Sequence, residues 1–452
     1  MSLSGFNKPA FFPIRLSGLV LITVVLSGCQ NMFFFRDGNE NLVSLEPLPP
    51  INQPKIEHVE AHEFQLKDDQ DMVGYLATLE TRENDTLSDI ARHFGLGYND
   101  ISNANPTISP WTPKSGSRVL LPIQFILPDA PHKGIILNLA NMRLFYYPKQ
   151  QPDKVFTYPV GIGRQGWNTP MGSTTIVAKR VNPTWVVPES IQQEHIEKGD
   201  ILPNVVPSGP NNPLGLYAMQ LGFPSYLIHG TNKPYGIGMQ ISHGCVQLYP
   251  EDIEVLFKNA SIGLPVKIVH QPYLVAWHQN NLYLEANEPL QKWEHEQPKL
   301  KKQLIKQLKV ISSKKNVSID WKTVDDVIKK SSGVPTPILE NSSDITSLVA
   351  NAVELVHPEK FYHQPIVEDI KDSDWSVFVA SFNDEIEAQK LATMLNHQGP
   401  IIPSRKIKKD NRYHVISGPF KNKKEVNSIT KRIKMDFEME AKPLKPIMSQ
   451  KE

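Results

Sequence analysis

The sequence predicts a multidomain protein whose central part is a mainly β, mixed β-sandwich-like domain. A small βααβ module is expected before it and a small α+β domain after it. With 452 residues the chain is too long for one ordinary core and suggests two to four domains. Its 38 prolines are typical of linkers and β-rich domains rather than helical bundles. The formal net charge of +1 removes the electrostatic case for nucleic-acid binding.

Residues 1–28 are predicted to be an export signal. Lys8 and Arg15 form a basic region, and Leu16–Leu26 is an apolar run of 11 residues. A helix needs ~20 residues to span a bilayer, so this run is too short to be a membrane span.

The apolar run ends in Leu-Ser-Gly-Cys, which resembles the lipobox of bacterial lipoproteins. This resemblance implies that Cys29 carries lipid, and that Gln30, where Asp would favour the inner membrane, directs the protein to the outer membrane. The alternative is an ordinary cleaved signal with a chance cysteine. Residues 29–71 are expected to be a tether. Lipidation of Cys29 would leave Cys245 alone in an oxidising compartment, where an unpaired thiol is either buried and inert or kept for its reactivity.

Residues 72–124 are predicted to form the βααβ module. Thr86 can cap a helix with Asp89 at its third position. The apolar helical stripe is Leu87, Ile90, Ala91 and Phe94, the second helix runs over 99–103, and the flanking strands are Ala77–Glu80 and Arg118–Leu121. Asn84-Asp85-Thr86-Leu87-Ser88-Asp89-Ile90-Ala91, Asp100-Ile101, Ala104-Asn105-Pro106 and Val119-Leu120-Leu121-Pro122 resemble a LysM domain. The resemblance implies binding to glycan that contains N-acetylglucosamine; the alternative is a small domain without that function.

Residues 132–271 are predicted to be the β-rich central domain. Apolar runs on either side of Ala140-Asn141 predict a hairpin. Further strands are expected at 155–160, 174–178, 226–229 and 266–269, separated by long Gly/Pro/Asn loops, and a helix is expected after Pro250.

A cysteine and two histidines stand close together near the end of this domain. His229-Gly230-Thr231 is followed, after ten residues, by Ser242-His243-Gly244-Cys245-Val246-Gln247-Leu248. A free thiol has a pKa of about 8.5 and is mostly protonated near neutral pH. An adjacent imidazole can take the proton and hold the resulting ion pair, which makes the sulfur a nucleophile. Gly244 lets a substrate approach the backbone, so that the amides of Cys245 and its neighbours can face an oxyanion.

The same segments resemble the signature of YkuD-type L,D-transpeptidases, in their periplasmic (ErfK/YbiS-like) branch. Gly161-Ile162-Gly163-Arg164-Gln165-Gly166-Trp167-Asn168-Thr169-Pro170-Met171-Gly172 and residues 206–214 extend the match. The resemblance implies that Cys245 is the nucleophile and His229 the general base. The supporting or oxyanion group comprises Gly230, Ser242, His243 and Gly244, with His243 shaping the thiol loop or the leaving-group side. Thr231 and Gln247 are candidate substrate contacts; the family usually has Arg where Gln247 stands, which places substrate preference in doubt.

Other readings of Cys245 are a metal ligand and an inert buried thiol. Zinc accepts Cys and His, but no clear third or fourth ligand is nearby, so no metal is expected. An inert thiol fits poorly with a Gly-rich, polar setting.

The C-terminal third is expected to hold a helical extension over 272–339, a linker over 340–373 and an α+β domain over 374–446. In the last of these, Trp375–Ala380 alternates like a strand, 384–398 is an amphipathic helix, and Tyr413–Phe420 is a second strand. This domain resembles a SPOR domain, which implies binding to glycan strands stripped of stem peptides and enrichment at the division site.

The resemblance to the transpeptidases implies a complete reaction. Cys245 attacks the diaminopimelate carbonyl of a tetrapeptide stem, D-Ala leaves, and an amine resolves the thioester. The amine belongs to diaminopimelate of another stem or to a lysine of a wall-anchored protein, such as an outer-membrane lipoprotein. No cofactor is expected, and the location is the periplasm, with a lipid anchor in the outer membrane. The alternatives are a hydrolase that uses water on the same thioester and a non-catalytic wall tether.

Overall fold

The structure is a computed structural model that describes residues 62–67, 71–197 and 202–446. The predicted signal, Cys29 and most of the expected tether lie outside the described residues. Within the segment expected to be a tether, Glu63–Gln65 form strand β1 and pair with a strand of the central sheet, so the tether prediction was wrong for these residues.

The N-terminal module has the predicted βααβ arrangement. Its elements are β2 (Met72–Gly74), β3 (Ala77–Glu80), α1 (Leu87–His93), α2 (Tyr98–Ala104), β4 (Arg118–Leu121) and β5 (Gln124–Ile126). Thr86 caps α1 and accepts a hydrogen bond from the amide of Asp89 at 3.1 Å, as the capping pattern predicted. β3 pairs antiparallel with β4, and β2 with β5.

The central domain is built around a nine-stranded sheet. Its elements are β6 (Gly134–Asn138), β7 (Arg143–Tyr147), β8 (Lys154–Pro159), β9 (Ile162–Gly163), β10 (Gly172–Val181), β11 (Trp185–Val186), α3 (Glu189–Glu197), β12 (Val205–Val206), β13 (Tyr217–Leu221), β14 (Leu227–His229), β15 (Gln240–Ser242), β16 (Val246–Gln247), α4 (Pro250–Asn259) and β17 (Pro265–Val269). The strand order is β1-β8-β7-β6-β17-β10-β13-β14-β16, which confirms a mainly β core. The β6–β17 and β14–β16 pairs are parallel, and the predicted hairpin is β6–β7.

Both faces of the β6–β7 hairpin are buried, each in a different core. Ile135 and Leu137 pack with α4 in the core of the central domain. Ile136 and Phe145 point the other way and pack with the N-terminal module. Because side chains alternate along a strand, one hairpin joins the two units through its opposite faces.

Arg143 stabilises this junction from inside. Its side chain is 1% exposed and its Nη2 lies 2.6 Å from Oδ2 of Asp100 on α2. The guanidinium also donates to Oγ1 of Thr157 at 2.9 Å and to the Gly95 carbonyl at 3.2 Å. A charge buried this deeply is tolerated because it is paired and hydrogen-bonded.

The segment expected to be a helical extension is mixed. Its elements are β18 (Tyr273–His278), β19 (Asn281–Ala286), α5 (Gln297–Lys315), α6 (Trp321–Lys330) and β20 (Thr336–Pro337), with a 3₁₀ helix at Gln291–Glu296. The helical prediction was therefore wrong for residues 273–286, which form a hairpin. That hairpin supplies Leu282 and Leu284 to a core that it shares with Leu304 and Leu308 of α5.

Within the segment expected to be a linker, 340–373, residues 345–361 pack against the N-terminal module, so the linker prediction was wrong for this part. It contains α7 (Ile345–Ala350) and β21 (Val353–Glu354), and β21 adds a parallel strand to β3. Leu355 and Phe361 are 3% and 2% exposed and join the module's core.

The C-terminal domain is α+β, as predicted. It consists of β22 (Trp375–Phe382), α8 (Glu385–Asn396), β23 (Ser404–Lys409), β24 (Arg412–Phe420), α9 (Lys423–Phe437) and β25 (Lys442–Leu444), with strand order β23-β24-β22-β25. The domain contacts both preceding units. Nε2 of His397 lies 2.7 Å from Oδ1 of Asp89, and the amide of Gly399 donates to the Asn232 carbonyl at 2.7 Å.

Candidate active site

The two predicted signature segments meet at one edge of the nine-stranded sheet. β14 and β16 run parallel, with Ile228 opposite Val246 and His229 opposite Gln247. His229 is the last residue of β14, and Cys245 directly precedes β16. The strand pairing therefore brings Cys245 and His229 to the same edge.

The thiol of Cys245 is partly exposed and lies beside the start of β14. Its Sγ donates to the carbonyl oxygen of Ser225 at 3.8 Å. Burial raises the pKa of the Cys245 thiol to about 11, although a hydrogen bond with the Leu227 backbone lowers it. Leu227 is two residues from His229, which is about 7 Å along a strand. The thiol is thus neutral near pH 7 and lies against β14, the strand that ends at His229.

The imidazole of His229 is 3% exposed. Its Nδ1 lies 2.6 Å from the carbonyl oxygen of Gly230. A carbonyl only accepts, so Nδ1 carries the proton in this contact and Nε2 of the neutral ring keeps its lone pair. Burial lowers the pKa of His229 to about 4, although the hydrogen bonds that the ring donates to the backbone of Gly230 and Leu214 raise it. Together with the raised Cys245 pKa, this favours a neutral thiol and a neutral imidazole in the free protein, so the ion pair expected from the sequence would form only during the reaction.

Ser242 fixes the loop that carries the thiol. Its Oγ donates to the Cys245 carbonyl at 2.5 Å and accepts from the Gly244 amide at 3.2 Å. Gly244 has φ +102°, and a Cβ there would lie 2.9 Å from Cε1 of Tyr226. The loop conformation therefore requires glycine at this position.

His243 belongs to an ionic cluster next to the thiol loop. Its Nε2 is 3.1 Å from Oε2 of Glu194 and 3.0 Å from Nη2 of Arg164. Its ring meets that of Trp167 edge-on, with 4.9 Å between centroids. Burial and the neighbouring Arg164 lower the pKa of His243, while Glu194 raises it. This geometry favours a role in shaping the loop.

The remaining predicted site residues lie within the backbone framework. The backbone N and O of Gln247 pair with Gly161 at 2.8 Å in each direction, and its Oε1 is buried with no partner among the described residues. Thr231 is 4% exposed and accepts from the Lys233 amide at 2.9 Å. This burial favours a structural role for Thr231 over the predicted substrate contact. The Gly230 carbonyl is the acceptor that orients His229.

Sequence reasoning gave no role to three residues that hold this site. Oγ1 of Thr169 donates to the Gly244 carbonyl at 2.8 Å, and Arg164 and Glu194 contact His243. Arg164 and Thr169 belong to the Gly161–Gly172 motif, so the sequence did indicate that their surroundings are part of the site. Glu194 lies on α3, a helix that was not predicted, although Pro188 before an acidic residue is a helix-start signal.

Among residues 62–67, 71–197 and 202–446, no group of three or more His, Cys, Asp or Glu side chains is arranged to hold a metal ion. No helix there is long and apolar enough to cross a bilayer.

Three family models match the chain. The L,D-transpeptidase catalytic domain (YkuD) matches residues 132–268, the LysM domain residues 80–122, and the SPOR domain residues 371–438.

Curated relatives are similar to this chain over about half of its length or more. The probable L,D-transpeptidase YbiS of Escherichia coli K12 is 37% identical over 271 residues, which cover 58% of this chain and 87% of the relative. The probable L,D-transpeptidase ErfK/SrfK of the same strain is 41% identical over 224 residues, 48% of this chain and 71% of the relative. The probable L,D-transpeptidase YcfS, also from that strain, is 40% identical over 225 residues, 48% of this chain and 70% of the relative.

Proposed function

Since the chain belongs to the L,D-transpeptidase family, we propose that it cross-links peptidoglycan through the thiol of Cys245. The sulfur attacks the diaminopimelate carbonyl of a tetrapeptide stem, the peptide bond to the terminal D-Ala breaks, and a thioester on Cys245 remains. The observation that carries this proposal is the placement of a partly exposed thiol immediately before β16 and of a neutral His229, able to act as a base, at the end of the adjoining parallel strand β14.

The thiol proton is transferred to His229 during the attack. As Sγ of Cys245 attacks, Nε2 of His229 takes the thiol proton and later gives it to the departing D-Ala amine. The Gly230 carbonyl, 2.6 Å from Nδ1, holds the ring in the required tautomer and stabilises the imidazolium that forms. The lowered pKa of His229 keeps Nε2 unprotonated at neutral pH.

The developing oxyanion needs a donor that is not already engaged. Oγ of Ser242 occupies the amide of Gly244, so we assign the oxyanion donor to the amide of Cys245. Ser242 and Thr169 hold this amide in place by fixing the carbonyls of Cys245 and Gly244.

An amine completes the reaction by attacking the thioester. We propose diaminopimelate of a second stem or a lysine of a wall-anchored protein, including an outer-membrane lipoprotein, as its source. The protein works at the periplasmic cell wall, where the LysM and SPOR domains would hold glycan strands. We further propose that lipid on Cys29 anchors it to the outer membrane and that the SPOR domain concentrates it at the division site.

Intact-mass spectrometry with tetrapeptide muropeptides tests the chemistry. The expected result is an adduct of the acyl mass that is lost in Cys245→Ser and kept in Cys29→Ser, the matched change at the other cysteine. Addition of an amine acceptor should yield linked dimers. Shortened monomers without dimers would instead indicate a hydrolase, and an adduct that survives in Cys245→Ser would refute the assigned nucleophile.

Two cell-fractionation and imaging experiments test the location. Cys29→Ser should release the protein from membranes, and unchanged fractionation would contradict the anchor. Removal of residues 374–452 should spread the protein around the envelope, and persistent septal enrichment would contradict the role given to the SPOR domain.

A further inference from the structure

A cation that the bond-making steps do not use stands beside the thiol loop. Arg164 follows β9, and its amide donates to the Ser242 carbonyl at 2.9 Å, which joins it to the loop. Its Nη2 lies 3.0 Å from Nε2 of His243, two residues before Cys245. The Arg164 side chain is 35% exposed, so the guanidinium is both fixed at the site and open to solvent.

In the protein without substrate, the Arg164 guanidinium is paired with a carboxylate of the protein itself. Nη2 of Arg164 lies 2.6 and 2.5 Å from the two oxygens of Glu194. Glu194 is on α3, whose only buried residue is Ile191. Carboxylate is the preferred partner of arginine, so Glu194 marks where an external carboxylate would bind.

The neighbouring strand supplies no charge for this purpose. Gln247 stands two residues after the thiol, is neutral, and keeps its side chain over Gly161. Among the described residues, Arg164 places a positive charge in direct contact with the Ser242–Cys245 loop.

The proposed substrate presents a carboxylate at the matching place. In a tetrapeptide stem the carboxylate of the terminal D-Ala lies one amide nitrogen and one carbon beyond the scissile carbonyl. A stem with a fifth residue, or with an amidated end, has a neutral group there. His243 lies two residues before Cys245, at most about 7 Å along the chain, so a guanidinium that contacts its ring is within reach of this end of the substrate.

We propose that Arg164 is the specificity-determining residue that binds the terminal carboxylate of the stem, and that this carboxylate displaces Glu194. The inference rests on the function proposed above and adds the group by which the enzyme recognises a stem that ends at its fourth residue. Exchange of one carboxylate for another keeps the charge balance of the cluster, whereas a neutral end leaves Arg164 with Glu194.

The test compares a disaccharide tetrapeptide with its C-terminal amide on the full chain. The rate of acyl-adduct formation at low substrate gives kcat/KM for each. We expect the wild type to prefer the free acid by about 10- to 100-fold, as for loss of one charged hydrogen-bonding pair. Arg164→Gln should bring the ratio close to one, and Arg164→Lys should keep part of it. Glu194→Gln should raise kcat/KM for the free acid alone, because a competing carboxylate is gone.

Each result decides the question. A wild type that does not distinguish acid from amide, or an Arg164→Gln variant that slows both substrates equally, overturns the role of Arg164. An unchanged or lower kcat/KM for the acid in Glu194→Gln overturns the displacement and applies even if Arg164→Gln does not fold. If the wild type forms no adduct with either substrate, the proposed function fails, and this inference fails with it. Adduct formation without discrimination leaves the proposed function intact.

Discussion

Acidification is expected to leave acyl transfer to Cys245 almost unaffected until well below neutral pH. Burial lowers the pKa of His229 to about 4. At a pH of about 5.5, a base with a pKa of about 4 is roughly 97% neutral, whereas one with the ordinary value of about 6.5 is roughly 9% neutral. The two cases differ by about tenfold in the fraction of competent enzyme, which is measurable.

The assay is kcat/KM for acyl-adduct formation between pH values of about 4.5 and 8, because this parameter reports groups of the free enzyme. Circular dichroism in each buffer checks the fold. Between pH values of about 6.5 and about 4, His229 binds more protons in the unfolded chain than in the native protein. Protonation of His229 therefore lowers the free energy of unfolding as the pH falls through that window. Buried Asp252 and Glu285, with pKa values raised to about 6 and about 7 by burial, act in the opposite direction. Cys245→Ser supplies the baseline.

A flat profile down to a pH of about 5 supports a neutral imidazole next to a neutral thiol. An acid limb with an apparent pKa near 6.5 and an intact fold would refute it, since His229 would then be charged over the range where the base must be free.

Three further perturbations test other parts of the molecule. The rate of alkylation of Cys245 by iodoacetamide should rise about tenfold per pH unit up to a pH of about 10, because burial raises the pKa of the thiol to about 11. A rate that levels off near a pH of about 8.5 would contradict this effect of burial. Arg143→Met should lower the free energy of unfolding, measured by urea titration, by about 3–5 kcal/mol, because Asp100 loses a buried partner. Lys258→Met, at an exposed ion pair with Glu254, is the matched control and should not measurably change the free energy of unfolding. Equal losses in Arg143→Met and Lys258→Met would contradict the importance of burial. Gly244→Ala should reduce acylation at least about tenfold, because its Cβ would lie 2.9 Å from Tyr226 at φ +102°, while Gly263→Ala, at φ +84° with open space around it, should retain activity; full activity of Gly244→Ala would contradict the loop geometry.

Local patterns predicted the parts of the fold that local physics determines. β3 and β4 begin and end where the strand patterns placed them, and Thr86 caps α1 as expected. Cap residues and alternating burial act over a few positions, so they can be read directly from the sequence.

Packing between distant segments was not predictable in the same way. The apolar residues of β6 and β7 indicated strands, but not that their two faces enter different cores. The segment 340–373 has no strong periodicity of its own, and its structure comes from contacts with the N-terminal module, such as the β21–β3 pairing and the burial of Phe361. Propensity is weak for such segments, and tertiary contacts decide their structure.

The same difference between local patterns and long-range contacts applies to the residues of the active site. The spacing of His229 and Cys245 matched a known signature, so both were predicted before their strands were seen to pair. The link from Arg164 to Glu194 joins residues 30 positions apart, through a helix that the sequence did not predict. Charge pairs of this kind leave no periodic signal.

The two-faced β6–β7 hairpin limits how the chain can be divided. A fragment that begins at residue 132 would bare Ile136, Phe145 and Tyr147 to water and leave the guanidinium of Arg143 without Asp100. An uncovered apolar surface of that kind promotes self-association. The smallest well-behaved catalytic piece should therefore start upstream of β1 and keep the β21 segment, because these distant stretches complete one structural unit with the hairpin.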